Sequence, residues 1–223
     1  MTGRTATLIG ATGLIGSHLL QLLEADNYFS TIRLLVRRPF KASSSRTEVK
    51  LVDFADHESY RLGIYGSDAV FCAVGTTQKK VKGDMDAYRR VDYDIPVRAA
   101  QFCALSGCRH FSLVSSVGAN SSAGNFYLKL KGEVEDEVRK QSIQSIAVFR
   151  PSILLGNRNE SRPAERIGQI AMQALSFAFV SKLSKYKPIH AHQVASAMLH
   201  AAKEQSSGFK VYEYGEIRKL FEV

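Results

Sequence analysis

The sequence predicts an α/β protein: a doubly wound parallel sheet in a single domain, 1–223, with a small lid near its C-terminal end. Three observations predict it. Short apolar runs alternate with segments of helical periodicity, and a glycine-rich turn joins the first run to the first periodic segment. The composition of the 223 residues, 45% hydrophobic and 23% charged, suits one globular domain with its own core and excludes a disordered, collagen-like or coiled-coil chain.

The runs at 5–9, 33–36, 49–52, 69–74, 110–115 and 145–149 read as buried strands, because they are continuously apolar rather than alternating. Periodic segments at 14–24, 88–105 and 127–140 fall between them, so a parallel sheet covered on both faces follows. Pro96 either kinks the second of these helices or begins a new stretch capped by Asp94, since a first turn tolerates proline's missing N–H. Gly107, just past Leu105, is placed to close that helix in a left-handed conformation. Beyond residue 149, a polar stretch at 157–162 leads to helices at 164–180 and 191–202 and a late strand at 209–212, with a substrate lid over about 156–190. In the helix at 164–180, Ile167, Ile170, Ala171, Ala174, Leu175 and Ala178 recur at helical spacing. That stripe is expected to pack on the domain or on a second copy of the chain, which makes a homo-oligomer one of two expectations.

Several partner classes fall away. The N-terminus shows no basic segment followed by a long apolar run, so no signal peptide is expected and the protein is placed in the cytoplasm. The longest apolar-rich stretch, 170–180, is interrupted by Gln173 and Ser176 and falls short of the roughly 20 residues a membrane helix needs. Cys72, Cys103 and Cys108 show no CxxC spacing, which fits a reducing compartment better than a disulfide framework or a metal site. His190 and His192 form an HxH pair just before a helix, a setting read as structural rather than metal-binding. With 30 Lys+Arg against 21 Asp+Glu, a formal charge of +9 invites an anionic partner. The basic groups at Lys79-Lys80-Val81-Lys82, at Arg89-Arg90 and over 182–187 lack a nucleic-acid motif and interleaved aromatics, so they read as a solvated face. No nucleic acid and no membrane are expected as partners.

The phosphorylated-cofactor reading has a motif behind it. Gly10-Ala11-Thr12-Gly13-Leu14-Ile15-Gly16 follows the first strand and opens the first helix. Glycines there allow a tight turn, let backbone N–H groups approach a pyrophosphate and bring helix and strand close together, while the helix N-terminus supplies partial positive charge. After the second strand, where an NAD site would place an acidic residue for the ribose 2′-hydroxyl, stand Arg37 and Arg38. Forked guanidinium donors suit a phosphate, so NADP(H) is favoured over NAD. In Leu51-Val52-Asp53-Phe54, Asp53 either accepts from the adenine amino group or caps the following helix.

Tyr127 and Lys131 lie four residues apart on one face of a predicted helix. An ammonium beside a phenol favours the phenolate and so lowers a pKa otherwise about 10, allowing proton exchange with a carbonyl or alcohol near neutral pH. Ser115-Ser116 ends the preceding strand, where a hydroxyl could meet the same substrate oxygen. The two serines point to opposite faces of the strand, and Ser115 is preferred.

In order along the chain, the glycine motif, Ser115, Tyr127 and Lys131, and Arg150-Pro151-Ser152 after a strand resemble the short-chain dehydrogenase/reductase superfamily in its atypical branch. Val114-Ser115-Ser116-Val117-Gly118-Ala119, Lys131-Gly132-Glu133-Val134-Glu135 and Ile189-His190-Ala191-His192-Gln193-Val194-Ala195 narrow the resemblance to the Tat-interacting-protein-like NAD(P)-binding oxidoreductases. The resemblance implies a single Rossmann domain, NADPH, Ser115 and Tyr127 on the reacting oxygen, Lys131 also on the nicotinamide ribose, and Gly75, Thr76, Pro151 and Ser152 along the cofactor. Many relatives carry an Asn on the helix before the serine strand as a fourth polar partner; Asp92 stands in that region here. The expected function is NADPH-dependent hydride transfer to or from a small carbonyl or alcohol. The alternative is a regulatory protein that senses NADPH with little turnover. A third reading, an epimerase or dehydratase, normally needs a larger substrate domain than the residues after Phe149 can build.

Overall fold

The computed structural model describes residues 3–156 and 181–222. Its centre is a seven-stranded, wholly parallel sheet in the order β3-β2-β1-β4-β5-β6-β9. The strands are β1 (Thr5–Ile9), β2 (Thr31–Val36), β3 (Thr47–Leu51), β4 (Ala69–Cys72), β5 (His110–Val114), β6 (Ser145–Phe149) and β9 (Gly208–Tyr212). β1, β4, β5 and β6 lie inside the sheet and are almost wholly buried, which is why they read as unbroken apolar runs.

Helices cover both faces. Against one lie α1 (Leu14–Ala25), α6 (Ala191–Glu204) and α7 (Tyr214–Phe221), sharing a core with Leu8, Leu34 and Phe71. Against the other lie α2 (His57–Ile64), α4 (Ile95–Leu105) and α5 (Phe126–Arg139), packed on Ile9, Val70, Phe111 and Val148. Successive strand residues feed opposite cores, as the alternation of side chains requires.

The chain starts at β1, winds outward through β2 and β3, then returns to build the other half from β4 onward. The order therefore reverses between β1 and β4, and the crevice outside their carboxyl ends is where ligands bind in open α/β sheets.

Pro96 has a third outcome that neither expectation contained. Helix α3 (Met85–Arg89) runs into a π turn at Arg90–Asp94 and then into α4, and Asp94 makes no side-chain cap. A proline removes one N–H and crowds the carbonyl four residues back, here that of Asp92, so the ladder widens by one residue instead of breaking. Gly107, at φ +71°, closes α4 as the sequence indicated. Two short strands, β7 (Leu154–Leu155) and β8 (Ile189–His190), pair in parallel and bring 154–155 beside 189–190. The expected helix at 164–180, and with it the apolar stripe and most of the lid, lies outside the described residues.

Candidate active site

The glycine turn is built by contact distances that only glycine meets. Gly10 sits at φ +94°, and a Cβ there would lie 2.7 Å from the Ala73 carbonyl oxygen. At Gly16 a Cβ would lie 2.0 Å from the Gly10 carbonyl oxygen, so α1 is pressed onto the turn. Gly13, whose N–H donates to Gly10 at 2.9 Å, is the N-cap of α1 and provides no side-chain cap, and the first turn, with Leu14 and Ile15, carries no acidic residue. Thr12 is exposed beside it. The helix thus presents uncapped N–H groups and unopposed positive dipole at the sheet's reversal point, a cradle that fits a pyrophosphate.

Arg37 and Arg38 follow β2 directly, exposed and without a carboxylate partner among the described residues. Asp53 does not cap α2: its carboxylate takes the Ala55 N–H at 2.9 Å, while Asp56 caps the helix through the Glu58 N–H at 3.0 Å. Asp53 stays exposed beyond β3, which leaves the adenine reading of that residue in place. Phe54 is half-buried, edge-on to Tyr60 with centroids 4.7 Å apart.

Tyr127 and Lys131 share a face of α5, the ammonium 5.9 Å from the phenol ring centroid. Lys131 is 5% exposed, and Asp92, 1% exposed on the π turn, holds its Nζ at 3.0 Å. The second Asp92 oxygen accepts the Thr76 N–H at 2.7 Å, beside Gly75 at the mouth of β4. Burial alone would pull the Lys131 pKa down; Asp92 above all, with Tyr127 and Cys72, overrides it, and the ammonium stays above the usual lysine value.

Ser115 is not free to meet a substrate. Its hydroxyl donates to the Glu135 carboxylate, 3% exposed, which also accepts Nε of Arg150 at 3.0 and 3.2 Å and is gripped at Nη2. The physical reason is alternation: Phe111, Leu113 and Ser115 point to the face that α5 covers, one helical turn below Lys131. Ser116 faces the other way, half-buried, its hydroxyl making one long bond of 3.4 Å to the Val117 carbonyl. The loop after it lies on the first turn of α5, where the Asn120 N–H donates to the Leu128 carbonyl at 3.1 Å. Pro151 is buried under this loop, accepting the Val117 N–H at 3.0 Å, and the Ser152 hydroxyl donates to the Lys187 carbonyl. His190 is the N-cap of α6, its backbone N–H donating to the Gln193 Oε1 at 3.1 Å, and among the described residues no three side chains gather as a metal site.

A family model described as NAD(P)H-binding matches residues 10–205. The chain belongs to this NAD(P)H-binding family. The Protein HTATIP2 of Rattus norvegicus is 36% identical over 168 residues, covering 74% of this chain and 69% of that one. A Debaryomyces hansenii protein named FMP52, mitochondrial, is 33% identical over 205 residues, 90% and 88% of the two chains. Among solved structures, a putative NAD-dependent epimerase/dehydratase from Bacillus halodurans superposes with a TM-score of 0.72 at 19% identity, covering 99% of each chain. That last likeness speaks for the fold alone: the family member described here is a seven-stranded Rossmann-type sheet.

Proposed function

We propose that this family member is an NADP(H)-dependent oxidoreductase of the short-chain dehydrogenase/reductase type, acting on a small carbonyl or alcohol. The observation that carries the reading is Lys131, charged and buried at the sheet's reversal point within 5.9 Å of the Tyr127 ring. A lysine costs free energy to bury, and its placement beside a half-exposed phenol suits a proton-transfer site better than a structural one.

The uncapped N-terminus of α1 would hold the pyrophosphate, and Arg37 and Arg38 a 2′-phosphate. The nicotinamide would supply hydride chemistry when bound. Tyr127 Oη donates a proton to a carbonyl oxygen or takes one from an alcohol. Lys131 Nζ steadies the charge on that phenol and would hold the nicotinamide ribose. Ser116 replaces Ser115 as the hydroxyl that orients the reacting oxygen, because Ser115 is spent on Glu135.

A panel of small aldehydes, ketones and quinones, followed by NADPH absorbance, tests this. Tyr127→Phe should cut turnover on any accepted compound by about 10² to 10⁴, the usual contribution of a general acid/base. NADPH affinity should change by less than about tenfold, since the ring's packing is kept. Inactivity of the wild type on the whole panel, with an NADPH-dependent response that survives Tyr127→Phe, would instead favour a sensor.

A further inference from the structure

The geometry points to Asp92 as the positioning residue for Lys131: one carboxylate oxygen grips the ammonium while the other fixes the Thr76 N–H of the loop that lines the nucleotide crevice. The inference rests on the proposed binding of NADP(H) and extends it, since it names the group that holds the ribose-contacting lysine charged and ties it to the opposite wall.

Both partners are buried, at 5% and 1% exposure, so water does little to solvate either charge. An ammonium in such a place keeps its proton only with a counter-charge. Among the described residues, the groups facing it are few. From its own helix comes Tyr127, and from the end of β4 comes the Cys72 thiol, pushed up to about 12 by burial and therefore neutral over the working range. Asp92, from the π turn, is the remaining neighbour and the one formal negative charge among them. An asparagine could keep the bond to Thr76 but not the charge. The π turn matters because it is what places residue 92 inside the sheet's crevice. Gly75 lies beside this pair, where a Cβ would meet the same carboxylate at 3.5 Å, an ordinary contact distance.

Asp92→Asn separates the two roles. NADPH affinity of the wild type should be flat between about pH 7.5 and 9.5. In Asp92→Asn it should fall about tenfold or more across that range, and calorimetry in two buffers should show proton uptake on binding, because the cofactor then selects the protonated lysine. Asp92→Glu should restore much of the flat profile, which a purely structural role for the bond to Thr76 would not require. Adding Lys131→Met to Asp92→Asn should abolish the pH dependence. Should Asp92→Asn alone fail to fold, the comparison starts from Lys131→Met. Adding Asp92→Asn there removes a buried carboxylate without a counter-charge, and should raise Tm while leaving NADPH affinity unchanged. A flat profile in Asp92→Asn, a pH dependence that persists without Lys131, or a further loss of affinity on the Lys131→Met background would overturn the inference. A wild type that binds neither NADPH nor NADH would overturn the functional reading and this inference with it.

Discussion

Ser115 and Ser116 are neighbours that face opposite ways, so alanine should affect them differently. On the proposed role, Ser116→Ala would remove a donor from the reacting oxygen and should lower turnover by about 10²-fold, with little change in Tm. Ser115→Ala takes a hydroxyl from a buried carboxylate and should cost about 1 to 3 kcal/mol of stability, read in a chemical melt, with turnover largely kept. His110 gives a second residue-scale prediction. Its ring lies between Ser145 Oγ at 2.9 Å and Ser112 Oγ at 2.7 Å, and burial lowers its pKa to about 3. The unfolded chain takes up the proton near pH 6.5 while the folded one refuses it, so stability is complete above that pH and declines as pH falls towards 3. At about 1.4 kcal/mol per pH unit, the loss should reach about 2 kcal/mol by pH 5. Melts of His110→Leu, less stable at neutral pH, should show a shallower decline over the same range; an unchanged slope would refute the assignment. At this scale the helical spacing of Tyr127 and Lys131 was legible, and the structure has them on one face of α5. It could not choose between the serines, whose roles hinge on a one-residue register, nor see that Asp92, distant in the chain, meets Lys131.

Elements were legible where burial is two-sided. The interior strands declared themselves as apolar runs, whereas α2 and α7 did not, since each shows water most of its surface: Ile217 alone is buried in α7. The π turn had no sequence signal beyond Pro96, which marks a disturbance but not its form. Helix α5 carries the element-scale prediction. A Cβ at Gly132 would lie 2.1 Å from the Ser121 backbone nitrogen and 2.2 Å from the Asn120 carbonyl carbon, so the helix rests directly on the loop that follows Ser116. Gly132→Ala must push helix and loop apart and should cost about 1 to 3 kcal/mol, the usual range for overpacking. Because Lys131 and Tyr127 ride on the same helix, turnover should fall further than the stability loss alone explains. Activity measured well below Tm distinguishes the two: full activity there would show that the loop yields instead of the helix.

For the whole molecule, the ligand that fits the reversal point should act on global stability, because a nucleotide held between the two halves of the sheet binds the folded chain and not the unfolded one. At a concentration about 100 times Kd, that linkage is worth about 2.7 kcal/mol, or roughly 5 to 10 °C in Tm for a domain of this size. NADPH should give the larger shift. If the contact of Arg37 and Arg38 with a 2′-phosphate improves affinity tenfold, NADH at the same concentration is worth only about 1.4 kcal/mol, about half as much. Both guanidiniums are exposed, so their advantage is open to screening. The gap between the two nucleotides should narrow as salt rises from about 0.05 to 0.5 M, since the Debye length shortens to a few ångströms. The smaller shift from the pyrophosphate at α1 should survive better, because backbone N–H groups and close packing carry much of it. Arg37→Ala should close most of the gap at low salt without altering the response to NADH. Equal shifts from NADPH and NADH in the wild type at low salt would refute the NADP preference while leaving the glycine turn's role intact.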